Sequence, residues 1–124
     1  DNIDILIGAR TVVDHIDAKN YSEFGNIHYT TEDGSLGIKG FVIHHPVFSY
    51  DLKKYDKIFA CGPDAMMKAV AREAKIHNIF CEVSLENLMA CGFGVCLCCI
   101  EPTTKGNLCV CSEGPVFNIN DLKW

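Results

Sequence analysis

Apolar residues in the first two thirds of the chain fall into short runs and one helical pattern. The runs at 3–7, 57–60 and 79–83 predict buried strands of a parallel sheet. Between the last two runs, residues 64–77 carry apolar side chains at helical spacing, namely Met67, Val70, Ala71 and Ala74. Strand, helix and strand in this order are typical of an α/β fold with a parallel sheet.

Weaker patterns predict three further elements. Residues 26–31 alternate apolar and polar side chains and lead into a turn, which predicts another strand. Helices are predicted at 11–19 and 85–90, with Thr11 and Ser84 as their N-caps.

The pattern changes after Met89, where the chain becomes rich in glycine and cysteine and loses its periodicity. We therefore predict an α/β domain over residues 1–88 and a small cofactor-binding subdomain over 89–124. The length of 124 residues fits one domain with a modest core. A net charge of −5 and the lack of a basic stripe argue against a nucleic acid partner. No apolar run is long enough for a membrane span, so no membrane partner is expected.

Six of the eight cysteines lie between residues 91 and 111. A secreted, disulfide-bonded scaffold would distribute its cysteines through a loop-rich chain, whereas this concentration indicates one local site. Such a site needs reduced thiols, so we predict a cytoplasmic protein.

The spacing of these cysteines is C-x4-C-x2-C…C, which is the plant-type [2Fe-2S] pattern. Gly92 and Gly94 lie inside the first interval, where the backbone must curl and direct amide groups at sulfur. Phe93, Val95 and Leu97 are expected to exclude water from the cluster. The spacing nominates Cys91, Cys96, Cys99 and, after a hairpin-like insert, Cys111.

Two alternatives remain open at the level of the residues. Cys98 or Cys109 could replace a nominated ligand, although both are expected, like Cys81, to be buried and inert. A zinc ion could also be held by four thiolates. The zinc site would use Cys96, Cys99, Cys109 and Cys111, and would leave Cys91 and the two glycines without a role.

Two strand ends are candidate nucleotide-binding positions. Cys61-Gly62-Pro63 follows a predicted strand and opens the helix, where parallel sheets bind ligands and where the thiol could contact a nicotinamide or flavin. A tight turn with a buried thiol explains the same pattern. Gly8 and Arg10 end the first strand, and Arg10 is a candidate phosphate partner or an ordinary surface arginine.

The remaining polar residues suggest no further chemistry. His44 and His45 have no third ligand nearby in the sequence and are expected in a loop or on the surface. No serine has a neighbouring base, so nucleophilic hydrolysis is unsupported and no catalytic acid or base is assigned.

Taken together, these motifs resemble the C-terminal half of the electron-transfer subunits of type B dihydroorotate dehydrogenases, which belong to the ferredoxin-reductase-like flavoproteins. The cysteine loop joined to the Gly-Pro-Val-Phe tail is the most specific element. The resemblance is carried by residues 7–11, 31–35, 55–63, 66–70, 82–86, 89–96 and 111–117.

The resemblance implies a partial Rossmann-like, ferredoxin-reductase-type nucleotide-binding sheet followed by a [2Fe-2S] subdomain. It implies electron transfer between NAD, FAD, the cluster and the FMN of a separate dihydroorotate dehydrogenase catalytic subunit, in pyrimidine biosynthesis. It also implies that Cys111, directly before the tail, is a ligand in preference to Cys109. The ligands would be Cys91, Cys96, Cys99 and Cys111, and the NAD-binding residues Gly8, Arg10, Cys61, Gly62 and Pro63.

The chain departs from this family in two respects. First, the FAD-binding barrel and the first strand of the nucleotide domain have no counterpart, because residues 3–7 correspond to the second strand. Second, Cys98 lies beside the expected ligands and the insert between Cys99 and Cys111 is compact, which bears on the register of the ligands. From the first departure we expect a gap between the strands at 3–7 and 57–61, and no turnover of dihydroorotate by this chain alone. The alternatives are a subunit of a hydrogenase or of a ferredoxin–NADP oxidoreductase, and a zinc-stabilised interaction domain without redox activity.

Overall fold

The computed structural model describes residues 3–15, 18–49 and 52–124. The chain divides into two compact units, Asp1–Leu52 and Lys53–Trp124. Among the described residues, the first unit contains one β-sheet and the second contains a three-stranded and a two-stranded sheet.

The first unit is built on three parallel strands. Strands β1 (Asp4–Ala9) and β2 (Asn26–Thr31) confirm the predicted runs and pair in register from Asp4 opposite Asn26. A short strand β3 (Ile38–Lys39) pairs with the end of β2, giving the order β1-β2-β3.

The helix predicted over 11–19 is wrong. Thr11 does cap a helical turn, because its hydroxyl accepts the Val13 amide, but this 3-10 turn covers only Val12–Asp14. The backbone is already extended at His15. Residues 16–17, where the predicted helix would continue, lie outside the described part of the chain, and a second 3-10 turn follows at Ala18–Tyr21.

The loop after β3 contains short helical turns and a buried histidine. A 3-10 turn at Val42–His44 leads into helix α1 (Pro46–Ser49), and a further turn covers Leu52–Lys54. His45 was expected in a loop or at the surface; it lies in this loop, but it is buried. Its ring lies 4.9 Å from the ring of His28, which contributes to its burial.

The second unit contains the predicted strand–helix–strand element. Strand β4 (Lys57–Cys61) leads into helix α2 (Asp64–His77), and strand β5 (Phe80–Ser84) returns parallel to β4. Strand β6 (Ile100–Thr103) and strand β7 (Gly106–Cys109) form an antiparallel hairpin. Helix α3 (Val110–Glu113) follows, and strand β8 (Val116–Asn118) completes the sheet β4-β5-β8 antiparallel to β5.

Helix α2 buries the face that its periodicity predicts. Met67, Val70, Ala71 and Ala74 are all buried, and the buried positions of β5 are Cys81 and Val83. The helix ends at Asn78, which adopts the left-handed conformation (φ 55°) and donates its amide to the last turn.

The helix predicted over 85–90 is not formed. The Leu85 amide donates to the carbonyl of Pro115 at 2.9 Å, so the chain continues extended beside β8 instead of coiling. Ser84, the expected N-cap, is instead a strand residue paired with Val116.

Strands β1 and β4 belong to separate sheets among the described residues, and each is terminal in its own sheet. The gap that the family pattern leads us to expect between these two strands stays a prediction. Within the described ranges, every helix is too short or too polar to cross a bilayer.

Candidate iron–sulfur and nucleotide sites

The cysteine loop lies between the extended segment after β5 and the hairpin β6–β7. Gly92 and Gly94 have φ values of 75° and 83°, so the predicted positive φ angles are present. Leu97 also has a positive φ of 60°, which the sequence did not indicate. These three positions curl the backbone so that several amides point at sulfur atoms.

Cys91 and Cys96 form the first thiol pair. The Cys96 amide donates to Cys91 Sγ at 3.4 Å. Amide groups of Cys96 and Phe93 stabilise the thiolate and lower the pKa of Cys91 to about 6. The sequence folds this way locally because the four residues between the two cysteines include both positive-φ glycines.

Cys99 and Cys111 form the second pair. The hairpin returns the chain so that the Cys111 amide donates to Cys99 Sγ at 3.4 Å. This hydrogen bond lowers the pKa of Cys99, whereas the thiol–thiol contact with Cys99 raises the pKa of Cys111. Cys99 is buried, and Cys111 is half-buried.

The other two cysteines of the loop differ from these pairs. Cys98 was expected to be buried, but it is exposed, and its thiol contacts the carbonyl of Cys96 within the same loop, at 4.0 Å. Cys109 is half-buried, and its thiol donates to the Gly94 carbonyl at 3.9 Å. The pKa of Cys98 is raised by the neighbouring Cys96 sulfur, and that of Cys109 by desolvation.

Four of the six loop thiols form these two pairs, and the side chains of Cys98 and Cys109 interact with Cys96 and Cys99 respectively. In the described part of the chain, no group of three or more His, Cys, Asp or Glu side chains converges as the ligands of one metal ion would. In a [2Fe-2S] cluster each of the two irons takes only two protein ligands. The donor set, with two thiols per pair and amide donors on Cys91 and Cys99, fits that group.

Large apolar side chains around the loop face solvent. Phe93, Val95 and Leu97 were expected to exclude water, but 69%, 69% and 56% of their surfaces are exposed in this chain. Leu88, directly before the loop, is 84% exposed. The short loop directs its backbone amides inward, so these side chains lie on its outer side.

A second candidate site lies at the end of β4. Cys61 is exposed, and its thiol lies 3.9 Å from Glu86 Oε1. Gly62 has a φ of 148°, a conformation that residues with a side chain rarely adopt, so glycine is favoured there. An adjoining cavity of about 300 Å³ is lined by Gly62, Pro63, Asp64, Met67, Leu85, Glu86, Asn87 and Glu101.

Sequence reasoning identified the Cys61–Pro63 side of this cavity and missed the opposite wall. Glu86, Asn87 and Glu101 belong to no local motif. One signal was the recurrence of acidic residues on either side of the cysteine loop, but their convergence depends on contacts distant in sequence.

Gly8 and Arg10 lie in the first unit. Gly8 is the penultimate residue of β1, and a Cβ there would come within 2.7 Å of Val42 Cγ1. Arg10 is exposed just after the strand, and its carbonyl accepts the Asp33 amide. Its side chain is therefore accessible to a ligand at the carboxyl edge of the parallel strands.

Residues 86–123 match the model of the iron–sulfur cluster binding domain of dihydroorotate dehydrogenase B. The dihydroorotate dehydrogenase B (NAD(+)) electron transfer subunit of Clostridium acetobutylicum is 37% identical over 98% of this chain. The corresponding subunit of Listeria monocytogenes is also 37% identical, over 94% of the chain. The chain is homologous to these electron transfer subunits.

The homology covers only part of each relative. The chain spans 47% of the Clostridium acetobutylicum subunit and 45% of the Listeria monocytogenes subunit, about half the length of the relatives it matches. A solved structure of an NADH-dependent reduced ferredoxin-NADP oxidoreductase, described in connection with flavin-based electron bifurcation, superimposes with a TM-score of 0.83. It is 28% identical and covers 99% of this chain and 45% of its own. These matches confirm the fold class and support a [2Fe-2S] cluster.

Proposed function

We propose that this chain is part of an electron-transfer subunit of an NAD-dependent dihydroorotate dehydrogenase. In this role it relays electrons through a [2Fe-2S] cluster between FAD and NAD and an FMN-containing catalytic subunit, in pyrimidine biosynthesis. The observation that supports this proposal most is that four thiols form two pairs, each linked by a hydrogen bond from a backbone amide to sulfur. Both pairs lie inside the segment that matches the iron–sulfur domain. The proposed ligands are Cys91, Cys96, Cys99 and Cys111.

The protein's contribution at the cluster is to bind and to stabilise charge. A [2Fe-2S] cluster supplies one-electron transfer when bound. The amides of Cys96 and Cys111 donate to the sulfur atoms of Cys91 and Cys99, and such donors stabilise negative charge on sulfur. No side chain of the chain needs to act as an acid or a base.

The nucleotide-binding role is proposed for Cys61, Gly62 and Pro63. Gly62 allows close approach to the backbone, and the adjoining cavity offers space beside the Cys61 thiol for a nicotinamide ring. In the first unit, Gly8 and Arg10 are proposed as NAD-binding residues, with Arg10 as a candidate phosphate partner. FAD would need the N-terminal barrel of the family. On this proposal 1–88 is the NAD-binding-like domain and 89–124 the cluster-binding subdomain.

The cysteine loop also supports our proposals for the protein partner and for the cellular compartment. Exposed Phe93, Val95 and Leu97 beside the proposed ligands give an apolar surface that a catalytic subunit would cover while it approaches the cluster. Eight unpaired thiols fit a reducing compartment, and we infer the cytoplasm.

Paired serine variants test the cluster assignment. Cys96→Ser removes one proposed ligand and should abolish the iron and sulfide content and the electron paramagnetic resonance signal of the reduced protein. Cys81→Ser is the matched control, because Cys81 is buried in β5 and takes no part in either pair. Equal loss of iron in both variants would contradict the assignment, and stoichiometric zinc without iron would favour the interaction domain.

The structural match favours one further candidate, a subunit of a ferredoxin–NADP oxidoreductase. The two functions differ in their partner. Purification of the complex from its source should recover an FMN-containing subunit active on dihydroorotate. Recovery of a ferredoxin-dependent NADP oxidoreductase subunit instead would replace the first proposal with the second.

A further inference from the structure

Glu101 accepts two hydrogen bonds, one from a residue that precedes the cysteine loop in the sequence and one from a residue that follows it. Its Oε2 atom accepts the side-chain amide of Asn87 at 3.1 Å, and its Oε1 atom accepts the indole N–H of Trp124 at 3.1 Å. We call Asn87, Glu101 and Trp124 the carboxylate clamp. The carboxylate uses one oxygen for each neutral donor, so both donors are satisfied at once.

The carboxylate clamp joins the two ends of the cysteine loop. Asn87 lies four positions before Cys91, and Glu101 lies two positions after Cys99. The hydrogen bond between their side chains therefore joins the two chain segments that enter and leave the loop. Between them the loop has no regular secondary structure to hold its ends together.

Trp124 connects this closure to the rest of the second unit. Lys68 of α2 places its Nζ atom 5.5 Å from the centroid of the Trp124 ring. Glu101 itself belongs to β6, which pairs with β7 and so leads to Cys111. The entering segment is fixed independently by the hydrogen bond from the Leu85 amide to Pro115.

We propose that Glu101 is a positioning residue of the cluster site: through Asn87 and Trp124 it holds the two ends of the cysteine loop at the separation that lets both thiol pairs bind one cluster. The proposal rests on the proposed function. Glu101 does not touch the sulfur atoms. Its effect is transmitted by the backbone of the loop ends, as is usual for groups that orient metal ligands.

Exchange of donor and acceptor tests this role. Asn87→Asp places a second carboxylate against Glu101 and removes the donor. Glu101→Gln removes one acceptor and keeps one. In the double variant the new amide at position 101 can donate to the new carboxylate at position 87, while the amide oxygen accepts Trp124 Nε1. Both hydrogen bonds then return, and the net charge equals that of the original chain.

The measurements are the rate of iron loss to a chelator and the electron paramagnetic resonance spectrum of the reduced cluster, in the full chain. Asn87→Asp should lose iron about 10- to 100-fold faster, the range typical of partners that orient ligands, and should broaden the spectrum. Glu101→Gln should show a smaller effect. The double variant should return to within about threefold of the original rate and restore the spectrum, which general destabilisation would not do.

Lys105→Gln is the matched control. It removes the surface ion pair between Lys105, in the turn of the same hairpin, and Asp121, and should leave both measurements unchanged. If Asn87→Asp lost iron at the original rate, or if the double variant did not recover the original rate, the positioning role would be overturned. The cluster assignment would stay intact. Failure of the unsubstituted chain to take up iron and sulfide would instead refute the proposed function, and the positioning role with it.

Discussion

At the scale of single residues, the environment of each thiol determines what it can do. Cys91 and Cys81 illustrate the two extremes. Backbone amides lower the pKa of Cys91 to about 6, whereas burial in β5 raises the pKa of Cys81 to about 11. The same side chain is therefore a thiolate in one position and an inert core residue in the other at neutral pH.

This difference predicts the order of alkylation in the metal-free chain. The thiolate fraction of Cys91 rises as the pH increases through about 6, and that of Cys81 rises only near 11. Treatment with iodoacetamide at neutral pH, followed by peptide mass spectrometry, should therefore label Cys91 much earlier than Cys81. Lowering the pH below the Cys91 pKa should slow its labelling. Labelling of Cys81 at the same rate as Cys91 at neutral pH would contradict this assignment.

Sequence spacing nominated four cysteines as cluster ligands, which stays a prediction, but it did not indicate how their surroundings are built. The intervals between cysteines are local, and so are the positive φ angles of Gly92 and Gly94. The exposure of Cys98 and the approach of Glu101 to Asn87 depend on where the hairpin returns, which no local pattern encodes. Residues joined by long-range hydrogen bonds were accordingly missed.

At the scale of elements, the correct and the wrong helix predictions differ in the length of the helix and in the number of apolar residues that it buries. Helix α2 has four buried apolar residues on one face, so packing reinforces its local preference. The predicted helices at 11–19 and 85–90 were short and had weak apolar faces. At 85–90 a hydrogen bond from Leu85 to Pro115 extends the chain instead.

Two substitutions on α2 test how much its buried face contributes. Met67 is 3% exposed and Ile76 is 66% exposed on the same helix. Met67→Ala leaves a cavity and should lower the free energy of unfolding by about 2–5 kcal/mol. Ile76→Ala removes an exposed side chain and should change it by no more than about 0.5 kcal/mol. Urea unfolding followed by the fluorescence of Trp124, which is in the same unit, measures both, and equal effects would contradict the packing argument.

At the scale of the whole chain, the structural division and the functional division fall at different places. The compact units separate after Leu52, and no described sheet contains strands from both units. The change of composition near residue 88 marks instead the start of the segment that matches the iron–sulfur domain. The sheet β4-β5-β8, the carboxylate clamp and all eight cysteines belong to one unit. Periodicity predicted the strands, but hydrogen bonding between strands decides which of them form one unit.

This organisation predicts that residues 53–124 bind the cluster without the first unit. They contain both thiol pairs and the buried residues Val83, Phe117 and Ile119. The core is small, and metal binding adds to the stability of such units. Expressed alone, this piece should therefore bind as much iron and sulfide per chain as the full chain and give the same electron paramagnetic resonance spectrum. Residues 1–52 contain no cysteine and provide the negative control. Loss of iron binding in residues 53–124, with binding retained by the full chain, would show that the cluster depends on both units.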